Sequence, residues 1–404
     1  MLALMIVSLP SLEAPKNIFL LAYLITRVSS ELLAFKKGMR KWNKWDKVFL
    51  TIVCSALLST LFPGMPNLEE WRGYKVLLTA ILTGWLLSRA NYTLKNYYLL
   101  FKLIVFSALP PLFFAFYQVL ILKSKSFLEL HSVGHVNHSA IYLTMIFGAS
   151  IGWLLSKIDS NKLNFNLKKI NLFLIGFISL VLFFSLIFGQ SRAALGIGTI
   201  LAVCLIFVII KNKEFRIYSL ITLAAIFVIS IFFNATIITK QIESQKKNNI
   251  LASRDRVWNV SIEAARFSPI LGIGMSNWHF ITLEQLKKSV EKRNVVFESK
   301  NYFFPGHSHS LYLTALVERG LVGLIVTLIF MFAWIKQLAY SLLWAKKTHL
   351  GICLWAGSFS AWMATFGIGL VNTTFHHEHA ILACLFLGLY LSFANKFMDI
   401  KKIS

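Results

Sequence analysis

Charge is scarce in this sequence, and negative charge scarcer still: 14% of the 404 residues are Asp, Glu, Lys or Arg, and 41 basic residues stand against 17 acidic ones. With 57% hydrophobic residues and a mean hydropathy of +0.66, the chain carries more apolar side chain than a water-soluble fold can bury, so lipid must cover the remainder. Cysteine is scarce too. Cys54, Cys204, Cys353 and Cys384 all fall inside apolar stretches, where a thiol behaves as a small hydrophobe, and neither a disulfide framework nor a cysteine-based metal site is expected. There is no repeat of fixed period and no low-complexity tract. No basic residue precedes the apolar first nine residues, and Pro10, Glu13 and Lys16 follow quickly, so a cleaved signal peptide is not expected.

What is present is a succession of apolar stretches. Tyr97 to Leu122, Ile170 to Phe188, Ile217 to Phe233 and Ala380 to Ala394 approach or exceed the roughly 20 helical residues that cross a hydrocarbon core of about 30 Å. They are too long and too continuously apolar for barrel strands, and a helix satisfies the backbone N–H and C=O groups that lipid cannot. The expected spans are 1–11, 17–34, 48–64, 75–89, 97–122, 139–157, 170–188, 193–210, 217–236, 310–335, 351–371 and 379–395; the first and fourth are short enough to be tilted, interfacial or partly re-entrant. The expected fold class is all-α: a polytopic membrane protein of about twelve helices. Residues 1–236 hold the first nine, 237–309 one large loop, and 310–404 the last three with a tail.

The formal charge of +24 would suit nucleic acid only if the basic residues shared one folded face. They lie between the spans instead. Lys36, Lys37, Arg40, Lys41, Lys44 and Lys47 form one cluster, Lys157, Lys162, Lys168 and Lys169 another, and Lys211, Lys213 and Arg216 a third; Lys346 with Lys347, and Lys396 with Lys401 and Lys402, complete the set. Counting spans in order puts all of them on one side, which the positive-inside rule makes cytoplasmic, with both termini there. The large loop is then outside. It too is basic, with Lys240, Lys246, Lys247, Arg254, Arg256, Arg266, Lys287, Lys288, Lys292, Arg293 and Lys300, which fits an anionic ligand, a solvated face or contact with anionic lipid headgroups.

Three polar groups on that side could carry chemistry. Ser253-Arg-Asp-Arg-Val-Trp258 begins a short amphipathic helix in which Val257, Trp258, Ile262, Ala265 and Phe267 recur at roughly helical spacing; Ser253 is positioned to cap it, and Pro269, Gly272 and Gly274 end it. Two arginines in a first turn oppose the helix dipole, a penalty that an anion reverses, so Arg254 and Arg256 point to a phosphate site, with local pairing to Asp255 or Glu263 as the competing reading. Gly189-Gln190-Ser191-Arg192-Ala193 is a short polar break between spans that holds Arg192 at the membrane boundary, where a lone arginine usually snorkels to lipid phosphate. In Pro305-Gly-His307-Ser-His309-Ser-Leu-Tyr312, the spacing puts His309, Leu316, Gly320 and Gly323 on one helical stripe, and Glu318 with Arg319 should face protein or a wet cavity. Further histidines, His131, His135, His138, His376, His377 and His379, fall on the same side. Their spacings match no specific helical zinc motif, and no metal site is expected.

These residues resemble the O-antigen ligase family of bacterial envelope enzymes, which shares its core region with O-antigen polymerases. His309-Ser310, nine residues, Gly320, two residues and Gly323 looks like the family's histidine and glycine pattern, with Leu324 and Ile325 in place of its threonines. Gln190-Ser191-Arg192-Ala193 looks like its Ser-Arg signature, and Arg254 with Trp258, Pro269 and Gly272-Ile-Gly274 is similar to the start of its large periplasmic loop; Asn137-His138-Ser139 is a weaker likeness. The resemblance implies a GT-C-like glycosyltransferase architecture in the bacterial inner membrane, working on the periplasmic face without nucleotide sugar, metal or cofactor. Its donor would be a polysaccharide on undecaprenyl pyrophosphate and its acceptor a sugar hydroxyl of lipid A-core, with membrane lipids around it and no nucleic acid. It implies Arg192 and Arg254 on the diphosphate and His309 as general base with inversion of the anomeric centre; Arg256, Ser191, Gln190, His307, Tyr312 and His138 would contact substrate. An O-antigen polymerase and a protein-directed oligosaccharyltransferase would use the same donor class. A transporter of anions or metal ions would instead spread its polar groups through the membrane midplane.

Overall fold

A computed structural model describes residues 1–39, 41–158, 165–233 and 253–397, with side chains described except at 165–169 and 229–233. Arg40, Lys162, Lys240, Lys246, Lys247, Lys401 and Lys402 lie outside the described residues, as do the side chains of Lys168 and Lys169. Over their described residues, all twelve apolar stretches contain helix, and no strand occurs among the described residues. In chain order the helices are α1 (Leu2–Ser8), α2 (Glu13–Lys36), α3 (Lys44–Leu61), α4 (Glu70–Ser88), α5 (Leu94–Ser107), α6 (Leu109–Phe116), α7 (Val136–Ile158), α8 (Phe165–Phe188), α9 (Arg192–Ile209) and α10 (Lys213–Phe233). There follow α11 (Arg254–Ala264), α12 (Leu283–Glu291), α13 (Leu311–Ala345), α14 (His349–Trp362) and α15 (His377–Phe397).

Among the described residues, eight helical segments are long and apolar enough to cross a membrane: α2, the continuous α5–α6 segment Leu94–Ile121, Ile170–Phe188 of α8, the α14 segment His349–Leu370, and α7, α9, α13 and α15. Helices α3, α4 and α10 have 18, 19 and 21 residues. The first stretch differs. Helix α1 has 7 residues, about 10 Å at 1.5 Å per residue, and cannot cross. It packs on α2 and α5 with Met5 and Ile6 wholly buried.

The ends of the long helices sort by chemistry. At one end, Lys36, Lys44, Lys157, Lys211, Lys213, Lys346, Lys347 and Lys396 stand at helix termini or in the short connections between them. There the chain is stitched by side chains: Asn43 and Asp46 make a capping box on α3, and Arg89 reaches both Asp46 and Glu31. At the opposite end lie residues 62–69, 122–135, 189–191, the stretch before α13, and the α14–α15 connection. Between the ends, α15 packs on α4, and α7 is surrounded by α8, α9 and α14. Helix α15 carries an unbroken run of buried residues from Glu378 to Ala394, as a central helix of a lipid-embedded bundle must.

The described part of the large loop, from residue 253 onward, folds as a small cap with its own core. Val257, Val260, Ala264, Ile273, Trp278, Ile281 and Leu286 bury one another together with Val317 of α13. The cap is fastened to the bundle at a helix break. Gly320 adopts φ 65° and ψ −165° inside α13, a region that glycine alone occupies readily. The backbone groups exposed by the break pair with the segment 269–274: Leu321 donates to Pro269 and Val322 to Ile270, while Ile273 donates to Val317 and Gly274 to Glu318. Gly64 and Met65 donate in turn to Gly272 and Ile273, extending the strap to the α3–α4 connection. The expected stripe of His309, Leu316, Gly320 and Gly323 is therefore corrected. His309 precedes the helix, and Gly320 interrupts it where the 269–274 segment comes close.

Candidate functional site

Arg192, Arg254 and His309 arrive at one end of the bundle by the same local device, a left-handed residue at the entry to a helix. Gln190 has φ 49° two residues before α9, Ser253 has φ 60° immediately before α11, and His309 itself has φ 50° immediately before Ser310, the N-cap of α13. Left-handed backbone at a residue other than glycine is costly, and it concentrates where a site requires an otherwise unfavourable approach. Ser253 occupies the N-cap of α11 without capping it through its side chain, so the expected serine cap is absent and the left-handed turn replaces it. Ser310 does cap α13, accepting from the Leu313 amide at 3.4 Å. Three helix starts thus bring the positive ends of their dipoles to this region.

Electrostatic coupling connects the three groups. The Arg254 pKa is lowered by burial and then by the charge of Arg192. The His309 pKa is lowered to about 4, by burial first, then by His307 and Arg254; Asn372 opposes the shift and His135 adds to it. The competing local pairing of the arginines is not what the fold makes. Glu263 takes Arg293, Arg266 at 3.6 Å and the Ser289 hydroxyl, and Nε of Arg254 is buried without a hydrogen-bond partner. Nδ1 of His309 and Nδ2 of Asn372 are buried in the same condition. A half-buried guanidinium and a neutral imidazole with unmet hydrogen-bonding capacity suit a ligand that is both anionic and hydroxylated.

The remaining expected contacts divide. Ser191 is the nearly buried N-cap of α9, with Gln190 half-buried beside it. His307 packs edge-on against His309, with ring centroids 4.1 Å apart, and its pKa is lowered by burial and by His135. Arg256 is engaged elsewhere in the cap: it donates to the Tyr302 carbonyl at 3.2 Å, and its guanidinium lies 5.8 Å from the Phe303 ring. Tyr312 donates to the Phe366 carbonyl at 3.0 Å and so ties α13 to the helical turn after α14. Arg319 is buried and turns inward to Thr327 at 3.0 Å, so it faces protein as expected; the backbone carbonyl of Glu318 accepts from the Ser59 hydroxyl at 2.6 Å.

Sequence reasoning missed the α14–α15 connection. Asn372 is almost wholly buried and faces His309, and Thr373 approaches His307 Nδ1 at 3.4 Å. Val371-Asn-Thr-Thr374, a polar run between two apolar helices, was the available signal. The fold also gathers histidines that the sequence left scattered. His138 lies 4.7 Å from His376, 5.5 Å from His377, 5.3 Å from His379 and 5.6 Å from His135 by ring centroid, whereas His131 is exposed. The site is bounded on that side by a buried ion pair between Lys16 of α2 and Glu378 of α15.

With this geometry in hand, comparison with known families gives one finding: residues 177–328 match the family described as O-antigen ligase. That stretch includes Arg192, Arg254, His309 and the Gly320 break; His138, Asn372 and His376 fall outside it. No curated protein matches the chain.

Proposed function

We infer, from the premise of an O-antigen ligase match over residues 177–328, that the protein is an envelope glycosyltransferase that moves a polysaccharide from undecaprenyl pyrophosphate to a sugar hydroxyl of lipid A-core. The observation that carries this reading is that Arg254 Nε and His309 Nδ1 are both buried without a partner at two helix starts, close enough for the charge of Arg192 to act on Arg254 and that of Arg254 on His309. The basic residues at the other end support, by the positive-inside rule, a cytoplasmic side there and a site facing the periplasm.

The chemistry asks little of the protein, because a diphosphate is already a good leaving group. Arg254 and Arg192, with the helix starts behind them, bind the diphosphate and stabilise the charge that grows as the anomeric C–O bond breaks. The bond electrons leave with undecaprenyl diphosphate. The acceptor hydroxyl oxygen forms the new bond from the opposite face, inverting the anomeric centre, and its proton passes to His309. An imidazole with a pKa of about 4 is neutral at physiological pH and thus free to accept that proton. It is a weak base in the empty site, and an anionic donor that offsets the Arg254 charge raises its pKa when substrate arrives.

The test is a deletion strain. Loss of a ligase leaves long polymer on the lipid carrier and bare lipid A-core, and complementation with His309→Ala does not restore transfer. Single repeat units on core would identify a polymerase instead. Normal transfer by purified His309→Ala enzyme would remove the base assignment.

A further inference from the structure

We propose that His138, His376 and His377 form a binding site for one divalent transition-metal ion that accepts imidazole ligands, such as Zn2+, clamping the start of α7 to the connection between α14 and α15. Each of the three offers a ring nitrogen, and these nitrogens all lie within 4.8 Å of one another. A tetrahedral zinc site with bonds of about 2.0 Å has ligand edges of about 3.3 Å, so the ion would draw the rings together by about 1.5 Å, within reach of side-chain rotation.

Two further observations support the site. Nε2 of His376 lies 3.0 Å from the Thr373 carbonyl. A carbonyl only accepts, so Nε2 carries the hydrogen and Nδ1 keeps its lone pair; a ring oriented in this way by a backbone carbonyl is the usual outer-shell arrangement of a metal-bound histidine. Behind the three, His379 is wholly buried, neither of its ring nitrogens has a hydrogen-bond partner, and its ring is 4.7 Å from that of His376 and 5.3 Å from that of His138. A buried imidazole with both nitrogens unmet, one a donor and one a lone pair, beside the cluster marks a place where the protein's own partners do not complete the polar contacts. Glu378 is engaged with Lys16, which leaves imidazole as the ligand chemistry and selects Zn2+, Ni2+ or Cu2+ over Mg2+ or Ca2+. His377 is exposed and opens the cluster to solvent. The three residues come from two parts of the chain, which is why no local spacing announces the site.

The ion takes no part in the transfer step. It fixes the segment that carries Asn372 and Thr373 to His309 and His307. The experiment uses full-length protein in detergent, purified on a tag without histidine and stripped with chelator, then titrated with Zn2+ against a chromophoric competitor. One equivalent should bind per chain, with Mg2+ ineffective. Affinity should fall by about tenfold or more in His377→Ala and in His138→Ala, and stay unchanged in His131→Ala. Thermal melting of each stripped variant checks folding, and His377→Ala, altered at an exposed position, keeps the test valid if His138→Ala misfolds. Zn2+ binding unaffected by His377→Ala, or no binding at micromolar ion, overturns the proposal. Neither result bears on glycan transfer, which is read separately.

Discussion

Arg254, the first residue of α11, lies near enough to His309, the residue before the N-cap of α13, for its charge to help hold the imidazole below its ordinary pKa. One group is fitted to an anion and the other to a hydroxyl proton, and each shapes the other's protonation. The two belong to separate elements, brought together by the 269–274 strap that docks the cap on the break in α13 and by the burial of Val317 in the cap core.

Replacing His309 separates base chemistry from folding if the substitute tolerates its backbone. His309 has φ 50°, a conformation that asparagine accepts more readily than most residues. His309→Asn should therefore accumulate in the membrane at the wild-type level while kcat falls by about 10²- to 10⁴-fold, the usual contribution of a positioned general base. Donor KM should change little. An unchanged kcat with a raised KM would make His309 a binding residue only.

Arg254→Lys and Arg254→Ala should differ in degree and not in kind. A lysine supplies charge without the two-pronged fork that a diphosphate accepts, so transfer should fall by about tenfold in Arg254→Lys and by about 10²- to 10³-fold in Arg254→Ala. Arg192→Ala should behave alike, and the double variant should lose less than the product of the two because both act on one ligand. Steady-state transfer with a lipid-diphosphate-linked donor reads all four proteins. Full additivity would place the arginines on separate ligands.

Arg192 was legible as a short polar break between apolar spans, and Arg254 and His309 as short motifs at a helix start and a helix entry in the large loop. Gln190-Ser-Arg192, Ser253-Arg-Asp-Arg256 and His307-Ser-His309 stand out locally, and helix spacing does the rest. The helical segments were legible as apolar stretches, down to the seven-residue α1, whose sequence signals apolarity but whose ends were misplaced. What was not legible depends on distant segments meeting. Gly320 was assigned to a continuous stripe since nothing near it announces that Pro269 and Ile270 will take up its neighbours' amides. Arg256 was expected to support Arg254 at the same anion, yet side chains two apart on a helix point to different faces; Arg256 goes to the Tyr302 carbonyl while the Arg254 charge acts on His309. Asn372 and the histidine cluster join α7, the stretch before α13, and the α14–α15 connection, a juxtaposition with no counterpart in local pattern.

The pH dependence of transfer should carry the mark of a depressed imidazole. Burial, His307, Arg254 and His135 push the His309 pKa down to about 4, against Asn372, so kcat/KM, which reports the free enzyme, should stay level on the acid side until the pH approaches that value. The acid limb of kcat should lie higher, because bound diphosphate offsets the Arg254 charge. In Arg254→Gln the limb of kcat/KM should move up, by a fraction of the whole shift since burial is the larger cause. Stability runs in the same direction: between the unfolded value near 6.5 and the folded value of about 4, the unfolded chain binds the proton and the folded one does not, so stability is lost as pH falls through that window. An acid limb near 6.5 in kcat/KM would show His309 to be exposed and ordinary.

Gly320 offers the sharpest test of how the cap is held. Its φ of 65° and ψ of −165° are open in practice to glycine alone, at a cost of about 1–3 kcal/mol for other residues. A Cβ there would lie 2.3 Å from both the carbonyl carbon and the oxygen of Ile270. Those are backbone atoms that cannot rotate aside, and they belong to the strap that pairs with Val317, Glu318, Leu321 and Val322. Gly320→Ala must therefore push the strap off the break and leave those backbone groups unpaired. Because the strap is continuous with the cap, Arg254 would lose its registration with His309 even though neither residue is changed. The expected result is a lower melting temperature in detergent and protease cleavage within 253–309 that wild type resists, with transfer reduced more than in Gly196→Ala, where an added Cβ meets nothing within 4 Å. If Gly320→Ala melted and transferred like Gly196→Ala, the strap would not be what couples the cap to the site.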